Sequence, residues 1–322
     1  MSSTETPPAR RRPTWPQLPA PVRAAVEERL GERVTRWTSH DGGYSAGLAS
    51  VLETASGDRV FVKAVDSGND FTQHLYREEA RRVALLPDGV PTPAFRWSAT
   101  LDVVAGDPWQ VLAFDAGEGR SPRVPWDVDE LGAVVELASR IGACEVPVGA
   151  LPEAADELPQ GRWEELAART HPGLDTFDPW VAKNLDRLAG LASGAADAVR
   201  GPGLVHGDLR GDNALVDHRA GRATAVAVDW PNAARGAAYV NVVGMLPAVV
   251  LEGGPAPEGV LAAHPLPPGT DDEAVTAFLA LETGYFLSSS LRPPPPGIPH
   301  VRAFQRAQGE VCVAWLRRRL GE

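Results

Sequence analysis

The sequence predicts an α+β fold in two parts, in which a strand-rich N-terminal part is followed by a mainly helical C-terminal part. The chain has 322 residues, which is long for one small core and short for three, so we expect one bilobal unit or two domains. Between about residues 37 and 114 the sequence is typical of strands around one helix. Beyond Gly117 apolar residues recur at helical spacing.

The strand-rich part contains two clear strands and a helix between them. Residues Arg59–Val65 form a β-branched and aromatic run whose alternation places Lys63 on an otherwise apolar face. Residues Tyr76–Leu86 have helical spacing and are followed by Pro87, which ends a helix because it lacks an amide proton. Residues Pro108–Phe114 predict a second strand.

Capping signals mark the helices of the second part. Asp127 with Glu130 three residues later forms a capping-box pattern ahead of an apolar helical repeat, and Thr270 with Glu273 forms a second one. Residues 301–320 predict a last helix that ends in arginines, which complement the negative end of the helix dipole.

Composition and charge disfavour several classes of protein. The 31 basic and 42 acidic residues give a formal net charge of −11, which disfavours a nucleic-acid-binding face and would attract cationic small molecules. The alternative is that the acidity serves only solubility. The uncharged run near the middle of the chain that contains Val242–Leu251 is shorter than the roughly 20 residues that a membrane span needs.

The cysteines and the N-terminal segment indicate a cytoplasmic protein. The chain has only Cys144 and Cys312, so we expect neither a disulfide framework nor a zinc-ligand cluster, which fits a reducing compartment. Residues 1–17 contain arginines and prolines but no apolar run of the kind found in signal peptides. We therefore expect this segment to be a flexible tail.

The most informative stretch is residues 206–213, with the sequence HGDLRGDN. Two apolar runs separated by a polar turn follow it and predict a β-hairpin over residues 214–228, directly before Asp229. Because the ends of a hairpin lie close together, Asp208, Asn213 and Asp229 are expected at one place. Such oxygen ligands suit a hard divalent cation, and a carboxylate left free of metal could accept a proton from a hydroxyl.

The order of these residues resembles that of a known family. The pattern HxDxxxxN with an aspartate 21 positions after the first is similar to the catalytic and metal-binding segments of kinases, and HGD resembles the aminoglycoside phosphotransferase family. The upstream motifs of the resemblance are Val62-Lys63, Arg77-Glu78-Glu79-Ala80 and Gly89-Val90-Pro91-Thr92-Pro93.

The resemblance covers roughly residues 35–320 and implies a protein-kinase-like bilobal fold. Residues 18–114 would form a sheet-rich, nucleotide-binding N-terminal lobe. Residues 115–322 would form a mainly helical C-terminal lobe that carries catalysis and acceptor binding.

The same resemblance implies roles for residues of the HGD segment, 206–213, and for Asp229. Asp208 would be the catalytic base or would orient the acceptor hydroxyl, and Asn213 and Asp229 would hold Mg²⁺. Arg210 would reach the γ-phosphate and stabilise charge during transfer. The alternative for Arg210 is a surface arginine with a solvated guanidinium. His206 would hold the loop.

The resemblance also implies residues that bind ATP, with GTP possible. Lys63 would bind the α- and β-phosphates and pair with Glu79. Glu78 is the neighbouring alternative, which we place second because Glu79 has apolar residues four and seven positions later, on its own side of the helix.

Two further segments would complete the nucleotide site. Gly43 and Ser45 belong to a run of small residues, 41–47, whose backbone amides could approach phosphate oxygens. Ala113 and Asp115 would bound a hinge whose backbone pairs with the purine edge.

Two features bear on the catalytic loop and on the acceptor. Asn241 stands where the family usually has an aspartate that braces the catalytic loop, and an uncharged amide places the rigidity of that loop in question. Residues 152–178 contain seven acidic residues and two arginines. This segment would either line the site of a cationic or polyhydroxylated acceptor or form a solvated helix face.

Together these observations predict an ATP-dependent O-phosphotransferase that acts on a small-molecule hydroxyl. The expected acceptor is an antibiotic of aminoglycoside, peptide or nucleoside type, so that the modification would give resistance. The alternatives are a kinase for a metabolite (sugar, amino alcohol or amino acid) and a nucleotide-binding module without transfer activity. Neither a nucleic-acid nor a membrane partner is expected, and the oligomeric state is not predicted.

Overall fold

A computed structural model describes residues 12–40, 47–168, 173–219, 221–295 and 300–322. The chain divides into two compact units. The first contains the chain up to Ala80 together with Pro93–Gly117, and the second contains Arg81–Thr92 and Glu118–Glu322. The first is rich in strands and the second in helices, which confirms the predicted α+β fold class.

The first unit is built on a five-stranded antiparallel sheet with the strand order β1-β2-β3-β5-β4. Its elements are α1 (Ala20–Leu30), β1 (Val34–Ser39), β2 (Leu48–Thr54), β3 (Arg59–Val65), α2 (Asp70–Val83, whose last turn belongs to the second unit), β4 (Phe95–Leu101) and β5 (Trp109–Asp115). Apolar residues of α1 and of the inner strands form one core, in which Val22, Val26, Leu52, Val62 and Val111 are fully buried. Each such side chain contributes about 1.5–3 kcal/mol on burial.

The boundaries of α2 differ from the predicted span of residues 76–86. The helix begins earlier because Asn69 Oδ1 accepts a hydrogen bond from the Thr72 N–H at 3.0 Å, which satisfies one of the amides left open at a helix start. It ends at Val83, four residues before Pro87.

Residues 12–17 differ from the flexible tail expected over residues 1–17. Trp15–Gln17 form one 3₁₀ turn, and Trp15 lies 3% exposed in the core of the first unit. Burying a tryptophan is favourable enough to order the short segment that carries it. Residues 1–11 lie outside the described residues.

The second unit is mainly helical and contains two small two-stranded sheets, β6 with β9 and β7 with β8. Its elements are α3 (Val128–Gly142), α4 (Ala154–Glu157), α5 (Arg162–Ala167), α6 (Pro179–Lys183), α7 (Leu185–Ser193), α8 (Ala195–Ala198), β6 (Gly203–Val205), β7 (Ala214–Arg219), β8 (Arg222–Ala227), β9 (Ala234–Gly236), α9 (Val240–Leu251), α10 (Pro257–Ala263), α11 (Asp272–Ser290) and α12 (Val301–Arg319). The hairpin predicted over residues 214–228 is confirmed by the antiparallel pair β7 and β8. Within the described ranges, no helix is long and apolar enough to cross a membrane.

The two predicted helix starts are only partly correct. Asp127 caps α3, because its carboxylate accepts hydrogen bonds from the N–H groups of residues 129 and 130. The cap of α11 is Asp271, which accepts from the Glu273 N–H at 3.0 Å. Thr270 instead donates its hydroxyl proton to the Pro267 carbonyl at 2.7 Å, so the second predicted capping box is wrong by one residue.

Glu130 of α3 forms a buried charge cluster instead of completing a capping box. Its carboxylate accepts two hydrogen bonds from Arg120, at 2.5 and 3.2 Å, and one from the Arg123 N–H at 2.7 Å. His218 Nε2 of β7 lies 3.1 Å from the same carboxylate. The hydrogen bonds from Arg120 are the largest cause that lowers the pKa of Glu130 to about 2.

We expect Glu130→Gln to destabilise the protein by about 2 kcal/mol at pH 7, because the Glu130 side chain is fully buried and Arg120 loses its partner. The pKa of Glu130 is lowered by folding, so the ionised group stabilises fully above its ordinary pKa of 4.5 and progressively less as the pH falls toward 2. The difference between wild type and variant should therefore shrink between pH 5 and pH 3 in chemical unfolding experiments.

The matched control for this prediction is Glu136→Gln. Glu136 lies on the same helix as Glu130, and its replacement removes an exposed ion pair with Arg222 of β8. Exposed pairs contribute about 0–1 kcal/mol. An equal destabilisation by Glu130→Gln at pH 3 and at pH 7 would show that the ion pair is not the cause.

Candidate active site

Lys63 of β3 and Glu79 of α2 form a buried ion pair in the first unit. Lys63 Nζ lies 2.8 Å from Glu79 Oε1 and 2.7 Å from Oε2. The two residues are 8% and 1% exposed, and the ring of Tyr76 lies 5.7 Å from the ammonium group, within the range of a cation–π contact. The choice of Glu79 over Glu78 as the partner of Lys63 therefore agrees with the structure.

The residues expected to bound the hinge lie within strand β5. Ala113 pairs with Val62 of β3 on one side and with Trp97 of β4 on the other, so its backbone is part of the sheet. The Asp115 N–H donates to the Ala94 carbonyl at 2.8 Å. These contacts argue against the purine-pairing role expected of Ala113 and of the Asp115 N–H, because both residues lie within β5, which ends at Asp115, one residue later than predicted. Gly43 and Ser45 lie outside the described residues.

The loop that carries Asp208 follows β6 in the second unit and is held by His206. The His206 ring is fully buried, its Nε2 lies 3.1 Å from the Val228 carbonyl, and its centroid lies 4.4 Å from the Trp230 ring. Gly207 has φ +80°, and a Cβ there would lie 2.6 Å from Asn232. Only glycine fits this position, which explains the central residue of the HGD motif.

Asp208 contacts both Asn213 and Arg210. Asn213 Nδ2 donates to the Asp208 carbonyl at 2.8 Å and to Oδ2 at 3.3 Å, while Arg210 Nε lies 3.2 Å from Oδ1. Desolvation, together with the charges of Asp212 and Asp229, raises the pKa of Asp208 to about 7 despite the opposing effect of Arg210. Since its side chain remains 43% exposed, Asp208 can both meet an acceptor hydroxyl and accept its proton near neutral pH.

The Arg210 side chain is largely buried and lies beside the catalytic loop. Its side chain is only 12% exposed and lies between the carboxylates of Asp208 and Asp212. The guanidinium also stacks over the ring of Phe304 of α12, 5.3 Å from the ring centroid. The solvated-surface alternative is therefore wrong, and these neighbours hold Arg210 close to Asp208.

Asp229 is positioned next to Asn213 by the backbone. The Val228 N–H donates to the Asn213 carbonyl at 2.9 Å. Among the described non-glycine residues, Asp229 alone has a positive φ, +71°, a conformation that aspartate tolerates better than most residues. Trp230 fixes the following position, because its Nε1 donates to Thr92 Oγ1 at 3.0 Å.

Asn213 and Asp229 fit the magnesium site that the resemblance implies. Asn213 directs its side-chain amide donors to Asp208, and its side-chain oxygen, Oδ1, accepts no hydrogen bond within the described part of the chain. Together with the Asp229 carboxylate this gives an oxygen donor set. Mg²⁺ is commonly held by one or two protein oxygens, with substrate phosphates and water as the other ligands.

Asn241 of α9 braces the catalytic loop through two hydrogen bonds. Its Oδ1 accepts from the His206 N–H, and its Nδ2 donates to the Leu204 carbonyl, each at 2.8 Å. A carboxylate could make the first bond but not the second, because it has no proton to donate. Asparagine in place of the usual aspartate therefore adds a second backbone contact, the bond to the Leu204 carbonyl.

We expect Asn241→Asp to destabilise the protein by about 2 kcal/mol, although it restores the residue typical of the family. Asn241 is 4% exposed, so the variant would place a carboxylate against the unsatisfied Leu204 carbonyl in a buried position. Thermal and chemical unfolding measure this loss. Equal stability of Asn241→Asp and wild type would contradict the importance of the donor bond to Leu204.

The acidic segment 152–178 is largely occupied by ion pairs within the second unit. Glu153 binds Arg235, Glu157 binds Arg82, and Glu165 binds both Arg162 and Arg292. Asp178 binds Arg317 and caps α6. Most of the negative charge that suggested a cationic acceptor therefore has a structural partner.

Sequence reasoning missed Glu282, a second carboxylate near the catalytic loop. Desolvation and the charge of Asp208 raise the pKa of Glu282 to about 7. Its carboxylate makes no hydrogen bond or ion pair with the described residues. The sequence feature that could have indicated Glu282 is that it is the single charged residue in the stretch Val275–Ser290 of α11.

In this protein a strand-rich unit with a lysine–glutamate pair is followed by a helical unit that groups Asp208, Asn213 and Asp229. This combination defines the class of phosphotransferases with the protein-kinase-like fold. The model of the phosphotransferase enzyme family, APH, matches residues 36–279, and the protein belongs to this family. Among curated proteins, none matches the chain.

Solved structures of phosphotransferases share the fold. An apo thermostable mutant of aminoglycoside phosphotransferase APH(4)-Ia is 15% identical, with a TM-score of 0.57, and the match covers 93% of this chain and 100% of that one. Spectinomycin phosphotransferase APH(9)-Ia, in complex with ADP and spectinomycin, is 12% identical, with a TM-score of 0.56 and coverage of 90% and 97%. Amicoumacin kinase hAmiN, in complex with AMP-PNP, Ca²⁺ and Ami, is 15% identical, with a TM-score of 0.53 and coverage of 90% and 93%. At these identities the likeness establishes the fold.

Proposed function

We propose that the protein transfers the γ-phosphoryl group of ATP, or of GTP, to a hydroxyl group of a small-molecule antibiotic. The observation that carries this proposal is the grouping of Asp208, Asn213 and Asp229 in the second unit by direct hydrogen bonds and backbone contacts. Phosphoryl transfer depends mainly on positioning and on neutralisation of phosphate charge, and this group supplies the carboxylate and the oxygen ligands for both.

Each residue of the group has a defined task. Asp208 orients the acceptor hydroxyl and accepts its proton as the new oxygen–phosphorus bond forms, while the bond from the γ-phosphorus to the β-phosphate oxygen breaks and the nucleoside diphosphate leaves. Asn213 and Asp229 would hold Mg²⁺, which supplies positive charge to the β- and γ-phosphate oxygens when bound. Arg210, held between Asp208 and Asp212, keeps the Asp208 carboxylate in place and adds positive charge near the phosphoryl group in transit.

In the first unit, Lys63 would bind the α- and β-phosphates while Glu79 holds its ammonium group in position. Nucleotides bound to relatives support this role, since ADP and AMP-PNP are present in the solved structures of two of them.

The proposed acceptor is an antibiotic because the similar solved structures are an aminoglycoside phosphotransferase, a spectinomycin phosphotransferase and an amicoumacin kinase. Because most of the acidic segment is held in ion pairs, a better candidate to meet a second polar group of the acceptor is Glu282, whose pKa is raised in part by the charge of Asp208. A hydroxyl or an amine of the acceptor could donate to it.

The test is mass spectrometry of acceptor panels incubated with the protein, Mg²⁺ and either ATP or GTP. The panels contain aminoglycosides, peptide and nucleoside antibiotics, sugars and amino alcohols. One added phosphate on an antibiotic supports the proposal. Phosphate on a metabolite alone would retain the reaction and reject the resistance role, and nucleotide binding without any modified acceptor would favour a module without transfer activity.

A further inference from the structure

The chain from Asp229 to Ala233 forms a tight turn whose last residue is buried. We call residues 229–233 the Asp229 turn. It is closed by a hydrogen bond from the Ala233 N–H to the Trp230 carbonyl at 3.3 Å, and Ala233 is fully buried. A buried backbone carbonyl such as that of Ala233 needs a donor from within the protein.

Arg82 supplies this donor from a distant part of the sequence. Its Nη1 donates to the Ala233 carbonyl at 3.1 Å, across 151 positions in the chain. Its Nη2 donates to Glu157 Oε2 of α4 at 3.1 Å, which provides a counter-charge for a side chain that is only 7% exposed. Arginine suits this place because its planar group can serve two acceptors in different directions, whereas lysine carries its charge at one point.

The conformation of Asp229 makes such support necessary. A positive φ at a residue other than glycine persists only where the surroundings impose it. Before Asp229, the chain is fixed through Val228, whose N–H binds Asn213 and whose carbonyl contacts His206. After Asp229, the bond from Arg82 to Ala233 fixes the end of the turn.

From this arrangement we infer that Arg82 is a positioning residue that holds Asp229 in the orientation needed to bind a divalent cation. The inference rests on the proposed function in one respect, namely that Asp229 is a ligand of that cation. Arg82 acts through the Asp229 turn, so its loss should weaken cation binding more than acceptor binding.

The first test is hydrogen–deuterium exchange of the 322-residue chain without nucleotide or metal, in wild type and in Arg82→Met. A lost buried hydrogen bond from a charged donor should raise exchange in peptides covering residues 228–234 by about tenfold. Glu157→Gln is the matched variant, because it keeps the bond to Ala233, and should raise exchange there much less. Exchange that is unchanged in Arg82→Met, or that rises equally throughout the second unit, would overturn the inference.

The second test is the Mg²⁺ dependence of the reaction, supported by direct titration with Mn²⁺ in the presence of AMP-PNP, followed by electron paramagnetic resonance. Arg82→Met should raise the cation concentration for half-maximal effect severalfold and leave the acceptor KM unchanged. Arg82→Lys, which keeps the charge but carries all its donors on one nitrogen, should be intermediate and covers the case in which Arg82→Met does not fold. Unchanged cation dependence in a folded Arg82 variant would reject the inference.

These readouts separate failure of the inference from failure of the proposed function. The exchange experiment and the Mn²⁺ titration need no acceptor, so they report on Arg82 even if the acceptor panels yield no product. Increased exchange in the Asp229 turn with unchanged Mn²⁺ affinity would show that Arg82 fixes the turn without controlling cation binding, which would reject the inference and leave the proposed function standing.

Discussion

Asp208→Asn should lower the rate of phosphoryl transfer by about 10²- to 10⁴-fold, the contribution typical of a positioned general base. Asparagine has nearly the same shape but cannot take the hydroxyl proton at neutral pH. The variant should nevertheless fold, because ionisation of Asp208 is disfavoured in the native protein, where its pKa is raised to about 7. Removing the charge therefore relieves a desolvated carboxylate. Transfer rates from single-turnover mass spectrometry and unfolding curves measure the two effects.

The matched control is Asp212→Asn in the same loop. Asp212 also pairs with Arg210, at 3.2 Å, and its replacement removes one negative charge close to the site. Its effect on transfer should be at most severalfold if the role of Asp208 is specific. An Asp208→Asn variant that transfers phosphate at the wild-type rate, in a preparation free of contaminating kinase, would remove Asp208 from the mechanism.

The parts of the site that the sequence predicts are those that depend on local connections. The hairpin of residues 214–228 brings Asn213 and Asp229 together because its two ends must be neighbours. Lys63 and Glu79 follow from strand alternation and helical spacing. In each case a local connection or a short-range periodicity determines where the side chain lies, so its position can be predicted from a single sequence.

Contacts between distant segments were not predictable in the same way. Nothing in the spacing of Arg82 indicates that it reaches Ala233, 151 positions away, or that Glu157 supplies its counter-charge. Net charge was equally uninformative about the acidic segment, because charge counts do not reveal which arginines fold back on it. The extent of β5 was missed because it depends on pairing with β3 and β4 rather than on its own residues.

The Lys63–Glu79 pair allows stability and nucleotide binding to be separated. Lys63→Met should destabilise the protein by about 3–5 kcal/mol, because it leaves the Glu79 carboxylate, 1% exposed, without its partner. Glu79→Leu should have a comparable effect by leaving the Lys63 ammonium buried. The double variant Lys63→Met/Glu79→Leu should recover most of the loss, because a packed apolar pair often replaces a buried ion pair at little cost. Denaturant unfolding of the four proteins measures the coupling.

The double variant then decides what Lys63 does beyond holding Glu79. If Lys63 binds phosphate, the stable double variant should bind ATP at least tenfold more weakly than wild type in calorimetry, because no cation remains at this position. Arg36→Met is the matched control on the same sheet, since Arg36 of β1 pairs with Glu53 at the surface and should change stability by about 0–1 kcal/mol without affecting ATP. A double variant that is stable and binds ATP like wild type would show that the pair is purely structural. A double variant as unstable as the sum of the single variants would show that the losses arise from packing, because an ion pair requires its two members to be coupled.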